Sequence, residues 1–335
     1  MDITKLKANV VICLKSGLVP FIQGSPGLGK SAIVREIAEE NNLKLIDVRL
    51  SQCDIADLNG LPKLDGKKAT FLPFDLFPIE GDEIPAGKAG WLLFLDELNS
   101  ANRAVQAASY KLILDRMIGN HKLHDKVAVV SAGNLITDNA VVNQLSTALR
   151  SRLINFTVEP DVQAWINWAM THGIDSRILA YISYKNEHLF TFDPEKDDET
   201  YACPRTWEML NKLLKNVKGN LKDYKELVNG TIGSIGNMFI EYTKYAKHLP
   251  KFSDIKSGKA TLPQQRDLGL SWMIVFHCIE HVDEITTDAE CNNTLTYIIG
   301  LGKDLAGMFI AQCREHKANL FNFPSFFTKL HEVVM

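Results

Sequence analysis

The sequence predicts an α/β core, a parallel sheet flanked by helices, followed by an all-helical region. Short apolar segments alternate with helical patterns up to about residue 160, which is typical of a parallel sheet covered by helices. From Asp161 onward the strand patterns stop and helical patterns follow one another. At roughly 150 residues per domain, a chain of 335 residues has room for about two domains. We therefore place a core at 1–160 and a helical region at 161–335.

The individual elements follow from hydrophobic periodicity. Strands are predicted at Val19–Gln23, Lys44–Leu50, Trp91–Leu95, Lys126–Ser131 and Ile154–Val158. Helices are predicted at Ser31–Asn41, Arg103–Met117 and Ala140–Arg152, and beyond the core at Val162–His172, Ser176–His188, Thr206–Val217, Leu221–Ala246 and Leu268–His281.

Composition excludes several classes of protein. Lys plus Arg number 37 and Asp plus Glu number 40, so the net charge is −3, and 23% of residues are charged. That balance argues against a disordered chain and against a strongly basic nucleic-acid coat, and modestly favours a protein partner over nucleic acid. The apolar runs are about five residues long, whereas a membrane span needs roughly twenty. We expect no membrane insertion.

The N-terminus and the cysteines indicate a cytoplasmic protein. Lys5 and Lys7 precede an apolar stretch through Leu14, as in a secretion signal, but Lys15 interrupts it and no small-residue cleavage site follows. The cysteines have no CxxC spacing, so we expect free thiols in a reducing compartment and no structural zinc site. They are Cys13, Cys53, Cys203, Cys278, Cys291 and Cys313.

A glycine-rich segment between the first strand and the first helix predicts a phosphate-binding loop. It matches G-x-x-x-x-G-K-[ST] at every fixed position, and its strand–loop–helix setting is the one this motif requires. Its glycines let backbone N–H groups point inward toward phosphate oxygens. Lys30 would contact the β- and γ-phosphates, and Ser31 would bind Mg²⁺. The candidate nucleotide-binding residues are Gly24, Ser25, Pro26, Gly27, Leu28, Gly29, Lys30 and Ser31.

An acidic pair at the end of a buried strand is the expected second half of such a site. The apolar run from Leu92 to Leu95 is followed directly by Asp96 and Glu97. In open α/β sheets, ligands bind at the carboxyl ends of the strands. Asp96 is suited to hold Mg²⁺ through its water shell, and Glu97 is suited to polarise an attacking water.

Six segments in a fixed order carry a resemblance to a known family. The sequence resembles AAA+ ATPases, which have a P-loop NTPase core, and within them the MoxR-like branch related to magnesium chelatase and midasin. The resemblance covers about residues 18 to 245. The segments are Gly24–Ser31, Ala56–Pro73, Phe94–Asn102, Val129–Asn134, Ala148–Phe156 and Pro204–Leu210.

The resemblance implies ATP hydrolysis with Mg²⁺ at the subunit interfaces of a homo-oligomeric ring, with a hexamer expected. Asn134 is similar to the sensor-1 residue that orients the attacking water. Arg152, with Arg150 as second candidate, is similar to the arginine finger that a neighbouring subunit supplies to stabilise charge on the transferring phosphoryl group. ATP and GTP are not distinguished by these phosphate-facing motifs.

The resemblance also divides the helical region into an α-helical lid at 161–250 and a C-terminal helical extension at 251–335. Arg205 is similar to the sensor-2 arginine at the start of a lid helix. Pro204 supports that placement, because proline is tolerated at a first helical position. Whether Arg205 acts on its own nucleotide or on the neighbouring subunit's stays open.

A turn signal at residues 65–66 predicts two short strands between Gly60 and Pro73. By resemblance this hairpin is the helix-2 insert near the central pore, which makes Lys67, Lys68 and Phe71 candidates for touching a partner. A surface hairpin without a contact role is an equally weighted alternative.

The predicted function is remodelling or chaperoning of a protein partner, which the resemblance suggests is a separate von Willebrand factor A protein. Two alternatives stay open. A nucleic-acid-directed motor is favoured only by the basic run Lys212, Lys215, Lys218, Lys222 and Lys225. The other alternative is a scaffold that binds ATP and hydrolyses it slowly.

A second sequence pattern that can bind a metal ion lies in the C-terminal half of the chain. Residues His277 to His281 fit H-x-x-E-H, and a helix would put both histidines on one face. The preceding run is typical of a buried core helix, and few residues remain to supply a third ligand and a cleft. We therefore expect no catalytic zinc here.

Overall fold

A five-stranded parallel sheet organises the first half of the chain in the computed structural model, which describes residues 3–138, 143–196, 198–264, 267–315 and 319–334. The chain divides into two units. The sheet unit comprises 1–161 and 193–196, and the helical unit comprises 162–192 and 197–335. In the described residues, each helix is too short or too polar to cross a lipid bilayer.

The strands in chain order are β1 (Val19–Gln23), β2 (Leu43–Arg49), β3 (Leu61–Asp65), β4 (Lys68–Leu72), β5 (Gly90–Asp96), β6 (Met117–Ile118), β7 (His121–Lys122), β8 (Val127–Gly133) and β9 (Leu153–Thr157). The sheet has the strand order β2-β5-β8-β1-β9, and all neighbouring strands are parallel. All seven residues of β5 are buried, as expected of a central parallel strand. The predicted parallel-sheet fold is confirmed.

Helices on the sheet unit match the prediction in two places and contradict it in one. They are α1 (Ile3–Lys15), α2 (Lys30–Glu40), α3 (Ile55–Asn59), α4 (Arg103–Asp115) and α5 (Thr147–Arg150). The predicted helix at 140–152 is wrong, apart from α5; residues 140–142 lie outside the described part. Asn143 is tied to α4's entry by bonds to the carbonyls of Asn99 and Ala101, and Ser146 caps α5 through the N–H of Leu149. Because of these bonds, the helix begins only at Thr147.

The predicted hairpin is confirmed as the antiparallel pair β3–β4. Gly60 leads into it with φ of +85°, and a Cβ atom there would lie 2.1 Å from the carbonyl oxygen of Leu72. Only glycine fits this close approach in this conformation. The Nε2 atom of His121, on β7, lies 2.8 Å from the carbonyl oxygen of Phe71 and ties the hairpin to the β6–β7 pair.

The helical unit packs around one hydrophobic core that includes residues from Trp165 to Phe326. Its helices are α6 (Val162–Thr171), α7 (Ser176–Tyr184), α8 (Pro204–Leu214), α9 (Lys225–Ile232), α10 (Gly236–Thr243), α11 (Phe252–Lys256), α12 (Leu268–Glu280), α13 (Asp288–Leu301), α14 (Lys303–Glu315) and α15 (Pro324–Val334). Residues on both sides of the predicted boundary at 250 share this core. The division into lid and extension stays a prediction.

The single long helix predicted at 221–246 is wrong. The segment consists of α9 and α10 with 3₁₀ turns before, between and after them. Gly233 has φ of +70°, and a Cβ atom there would lie 2.7 Å from the carbonyl oxygen of Thr200, so the chain leaves helical geometry at this position.

All six cysteines are free, and all but Cys53 are buried. Burial raises the pKa of the Cys278 and Cys313 thiols, which keeps them protonated at neutral pH. The buried thiols thus behave as small apolar side chains, as the sequence predicts.

Candidate nucleotide site

The phosphate loop joins the end of β1 to the start of α2. Gly27 and Gly29 adopt φ values of +85° and +88°, which other residues rarely reach. Gly24 is needed for space, because a Cβ atom there would lie 3.1 Å from the carbonyl oxygen of Val158. The loop therefore curls against β9's exit and delivers the N-terminus of α2, the end of a helix that attracts phosphate.

Lys30 holds the loop together from inside. Its Nζ atom donates to the carbonyl oxygens of Gly24 (2.5 Å) and Ser25 (3.1 Å), and to Oδ1 of Asn134 (3.1 Å). The side chain is nearly buried, at 9% exposed. A buried ammonium group held at the loop by two carbonyl oxygens and one amide oxygen is well placed to meet phosphate oxygens. The bond to Asn134 also joins the loop to the end of β8.

Ser31 and Asp96 meet at the base of the loop. The Ser31 hydroxyl donates to Oδ2 of Asp96 across 3.0 Å, and Asp96 is buried. A hydroxyl and a carboxylate are hard oxygen donors of the kind Mg²⁺ prefers, and Mg²⁺ keeps several waters in nucleotide sites. This pair fits the ion: Ser31 would be a direct ligand, and Asp96 would act through water. When bound with nucleotide, Mg²⁺ neutralises charge on the phosphates.

Glu97 sits in a strained backbone conformation directly beyond β5. Its φ is +56°, unusual for a residue with a side chain, and its N–H donates to Oδ1 of Asp96 (2.9 Å). Its carboxylate accepts a hydrogen bond from the hydroxyl of Ser51. Such strain is retained where surrounding bonds over-determine it, here the bonds to Asp96 and Ser51.

Three residues that were not predicted from the sequence position the predicted ones, and two of them are Ser51 and Asn99. Ser51 follows β2 and holds Glu97, while Asn99 exchanges two bonds with the backbone of Asn134, donating across 2.7 Å and accepting across 3.1 Å. The available signal for Ser51 is that it follows a predicted parallel strand, whose carboxyl end shares an edge with the others. That β2 lies beside β5 is known only from the structure. Asn99 carried no comparable signal.

A further buried contact secures the loop from the side. The Ser25 hydroxyl donates to Oδ1 of Asp138 across 3.2 Å, and both side chains are buried. Asp138 follows β8 in a short 3₁₀ turn and was not predicted as a site residue. The loop is thus held from within by Lys30 and from outside by Asp138.

The two candidate arginine fingers make no hydrogen bond to this cluster among the described contacts. Arg152 is exposed, donates to the carbonyl oxygen of Ala148 across 2.8 Å, and stands over the ring of Tyr110 with its guanidinium carbon 5.3 Å from the centroid. Arg150 is exposed and lines a cavity of about 590 Å³ next to Tyr110 and Gln144. Both arginines are thus exposed side chains of the sheet unit.

Arg205 belongs to the helical unit. It is exposed in the first turn of α8, and Pro204 occupies the first helical position, as predicted. Thr206 accepts a hydrogen bond from the N–H of Cys203 across 2.8 Å and closes the helix start. Its role as sensor 2 stays a prediction.

Comparison with known proteins agrees with this geometry. Residues 20–153 match the AAA domain of the dynein-related subfamily, a span that includes the phosphate loop, the acidic pair, Asn134 and both finger candidates. Residues 20–153 are an AAA domain of the dynein-related subfamily. Such a domain implies ATP binding, typically with Mg²⁺, and ATPase activity. The sequence-based assignment to the midasin-related, MoxR-like branch is confirmed.

The relatives and solved structures that resemble this chain are distant in sequence. Midasin from Giardia intestinalis is 39% identical over 175 residues, which is 48% of this chain and 3% of midasin. Among solved structures, a point mutant of RuvB from Thermotoga maritima has 19% identity and a TM-score of 0.40, with 76% of this chain and 73% of that one covered. A putative ATPase from Cytophaga hutchinsonii has 13% identity and a TM-score of 0.37, with 91% and 79% covered.

Proposed function

We propose that this chain is a ring-forming ATPase that hydrolyses ATP at subunit interfaces and uses the energy to remodel a protein partner. One observation carries the proposal. The phosphate loop, the acidic pair and Asn134 form one hydrogen-bonded cluster within the sheet unit, whereas Arg150 and Arg152 of the same unit are exposed. An exposed arginine is available to a neighbouring copy, and AAA+ proteins commonly oligomerise.

The roles of the site residues belong to this proposal. Glu97 takes a proton from the attacking water, and Asn134 orients that water beside the γ-phosphate. Arg152, or Arg150 in its place, stabilises negative charge that develops on the transferring group of the adjacent subunit. Such a division leaves an isolated subunit able to bind ATP but nearly inactive.

The hairpin supports a protein as the remodelled partner. Leu64 at its tip is 83% exposed, and Leu61, Phe71 and Leu72 are also exposed. Apolar side chains grouped on an exposed hairpin are typical of a protein contact surface. Lys67 and Lys68 are exposed beside them and add positive charge for an acidic segment.

The basic run gives a nucleic-acid motor little support. α8 ends at Leu214, so the five lysines are divided between a helix end, a loop, a 3₁₀ turn and α9, and do not form one helical face. Lys212 is also paired with Glu208 across 2.7 Å. The von Willebrand factor A partner gains no support from the comparisons, and we do not propose it.

The test combines assembly and partner capture on Glu97→Gln, which should bind ATP without turning it over. Mass photometry with and without ATP should show a ring that ATP stabilises. Affinity capture on Glu97→Gln with ATP bound should then retain a partner protein, and the same variant without ATP should release it. A wild-type subunit that stays monomeric with ATP yet hydrolyses it as a monomer would contradict the ring.

A further inference from the structure

Three side chains that can bind a metal ion meet at the end of α12. His277 and Glu280 lie in its last turn, and His281 follows as its C-cap. One ligand atom from each side chain lies within 4.8 Å of those of the other two. Spacings of three and four residues put all three on one helical face, which is why a short stretch can gather them.

Each histidine has one ring nitrogen engaged by an oxygen acceptor. The ring of His277 bonds to the carbonyl of Pro250, and Nδ1 of His281 lies 2.7 Å from Oε1 of Glu284. Histidines that bind metals usually donate their second ring N–H to a carbonyl or a carboxylate, which fixes the tautomer and the ring orientation. The arrangement therefore leaves the other nitrogen of each ring for an ion.

The cluster is reachable, and acidic side chains outnumber arginine in the cavity beside it. His277 and Glu280 line a cavity of about 640 Å³, together with Asp175, Arg177 and Asp283. Arg177 is paired with Asp175 through contacts of 2.6 and 2.9 Å, so its positive charge is offset. An ion bound here would keep open coordination positions for water on the cavity side.

We propose that His277, Glu280 and His281 bind a divalent transition-metal ion, with Zn²⁺ as the best match. Two imidazoles and a carboxylate suit Zn²⁺, whereas Mg²⁺ prefers oxygen ligands only. The site is therefore separate in chemistry from the nucleotide's Mg²⁺ site. The ion would link the last turn of α12 to its C-cap residue, His281. We infer binding only and no hydrolytic activity.

Calorimetric titration of Zn²⁺ into the metal-free full chain, in buffer with Mg²⁺ and without nucleotide, tests the site. We expect one Zn²⁺ per chain at this site, with binding lost in the double variant Glu280→Gln, His281→Ala. Glu284→Ala should weaken the affinity by about 10- to 100-fold, because it removes only the partner of His281. His331→Ala, which removes an exposed histidine from α15, should bind as the wild type does.

Thermal unfolding provides a second readout. Zn²⁺ should raise the melting temperature of the wild type and of His331→Ala, and leave that of the double variant unchanged, because only a ligand of the folded state stabilises it. Every variant keeps all six cysteines, so binding to thiols cancels in the comparison. Equal Zn²⁺ affinity in wild type and double variant would overturn the proposal, and so would an equal loss in His331→Ala.

Discussion

The predicted site residues fall into two groups that the fold treats differently. Lys30, Ser31, Asp96 and Asn134 are buried or half-buried and bonded to one another at the carboxyl edge of the sheet. Arg150 and Arg152 are exposed, and the guanidinium of Arg152 rests on its own unit. Under the proposed function, one chain assembles the groups that would hold nucleotide and Mg²⁺, and Arg152 stays available to a neighbouring copy.

The largest expected effect on turnover is at the exposed arginines, and it distinguishes them from the hydrogen-bonded cluster. Arg152→Ala should lower kcat by about 10³- to 10⁵-fold, because a finger arginine acts only on charge in the transition state. ATP affinity should change little, since Arg152 makes no bond to the phosphate loop among the described contacts. Steady-state turnover and binding of a fluorescent nucleotide measure the two quantities.

Arg150→Ala is the matched control, because it removes an equal charge two residues away. It should reduce kcat far less. A larger loss in Arg150→Ala would exchange the two assignments, and near wild-type turnover in both variants would remove the finger from this segment altogether.

Within the cluster, Glu97→Gln should lower kcat by about 10²- to 10⁴-fold, the usual contribution of a general base. The amide keeps the shape of the side chain but cannot take a proton from water at neutral pH. Nucleotide affinity should be retained. Glu39→Gln, on the exposed face of α2, controls for the loss of one negative charge. Unchanged turnover in Glu97→Gln would show that another group is the base.

Ser51→Ala tests positioning, with a smaller effect. The Ser51 hydroxyl holds the Glu97 carboxylate, and a misplaced catalytic group costs up to about 10²-fold in rate. We expect about a tenfold loss in kcat with KM nearly unchanged. Ser51→Thr keeps the hydroxyl and should restore most of the rate. If alanine and threonine are equally slow, side-chain packing and not the hydrogen bond explains the loss.

The hairpin lies outside the cluster, so we expect its variants to have the smallest effect on turnover. Their main effect is on stability. Gly60→Ala should destabilise the sheet unit well beyond the roughly 1–2 kcal/mol of a left-handed backbone, because its Cβ would meet the Leu72 carbonyl at 2.1 Å. Gly66→Ala has φ of +59° and open space around it, so it should cost only the backbone strain. Urea unfolding measures both. Equal destabilisation would contradict the close approach.

Local patterns predicted the five strands of the main sheet to within two residues, most plainly β5 and β8, because a parallel strand covered on both faces is a continuous apolar run. The phosphate loop and acidic pair were predictable for the same reason, since their residues are contiguous with those strands. The two-residue strands β6 and β7 carry no such run and were not predicted. The helix predicted at 140–152 failed because long-range bonds from Asn143 hold the segment outside helical geometry. Ser51 and Asn99 were missed because their roles depend on which strands are neighbours, and on bonds between distant segments.

The division between a chain-held cluster and a partner-supplied arginine is tested most directly by mixing two inactive variants. Lys30→Ala lacks the phosphate contact and keeps Arg152, while Arg152→Ala keeps the phosphate loop. If the arginine acts across an interface, mixed assemblies pair an intact loop with an intact arginine and regain part of the wild-type ATPase rate. Assemblies that mass photometry shows to be mixed, yet that hydrolyse no more ATP than either variant alone, would contradict it.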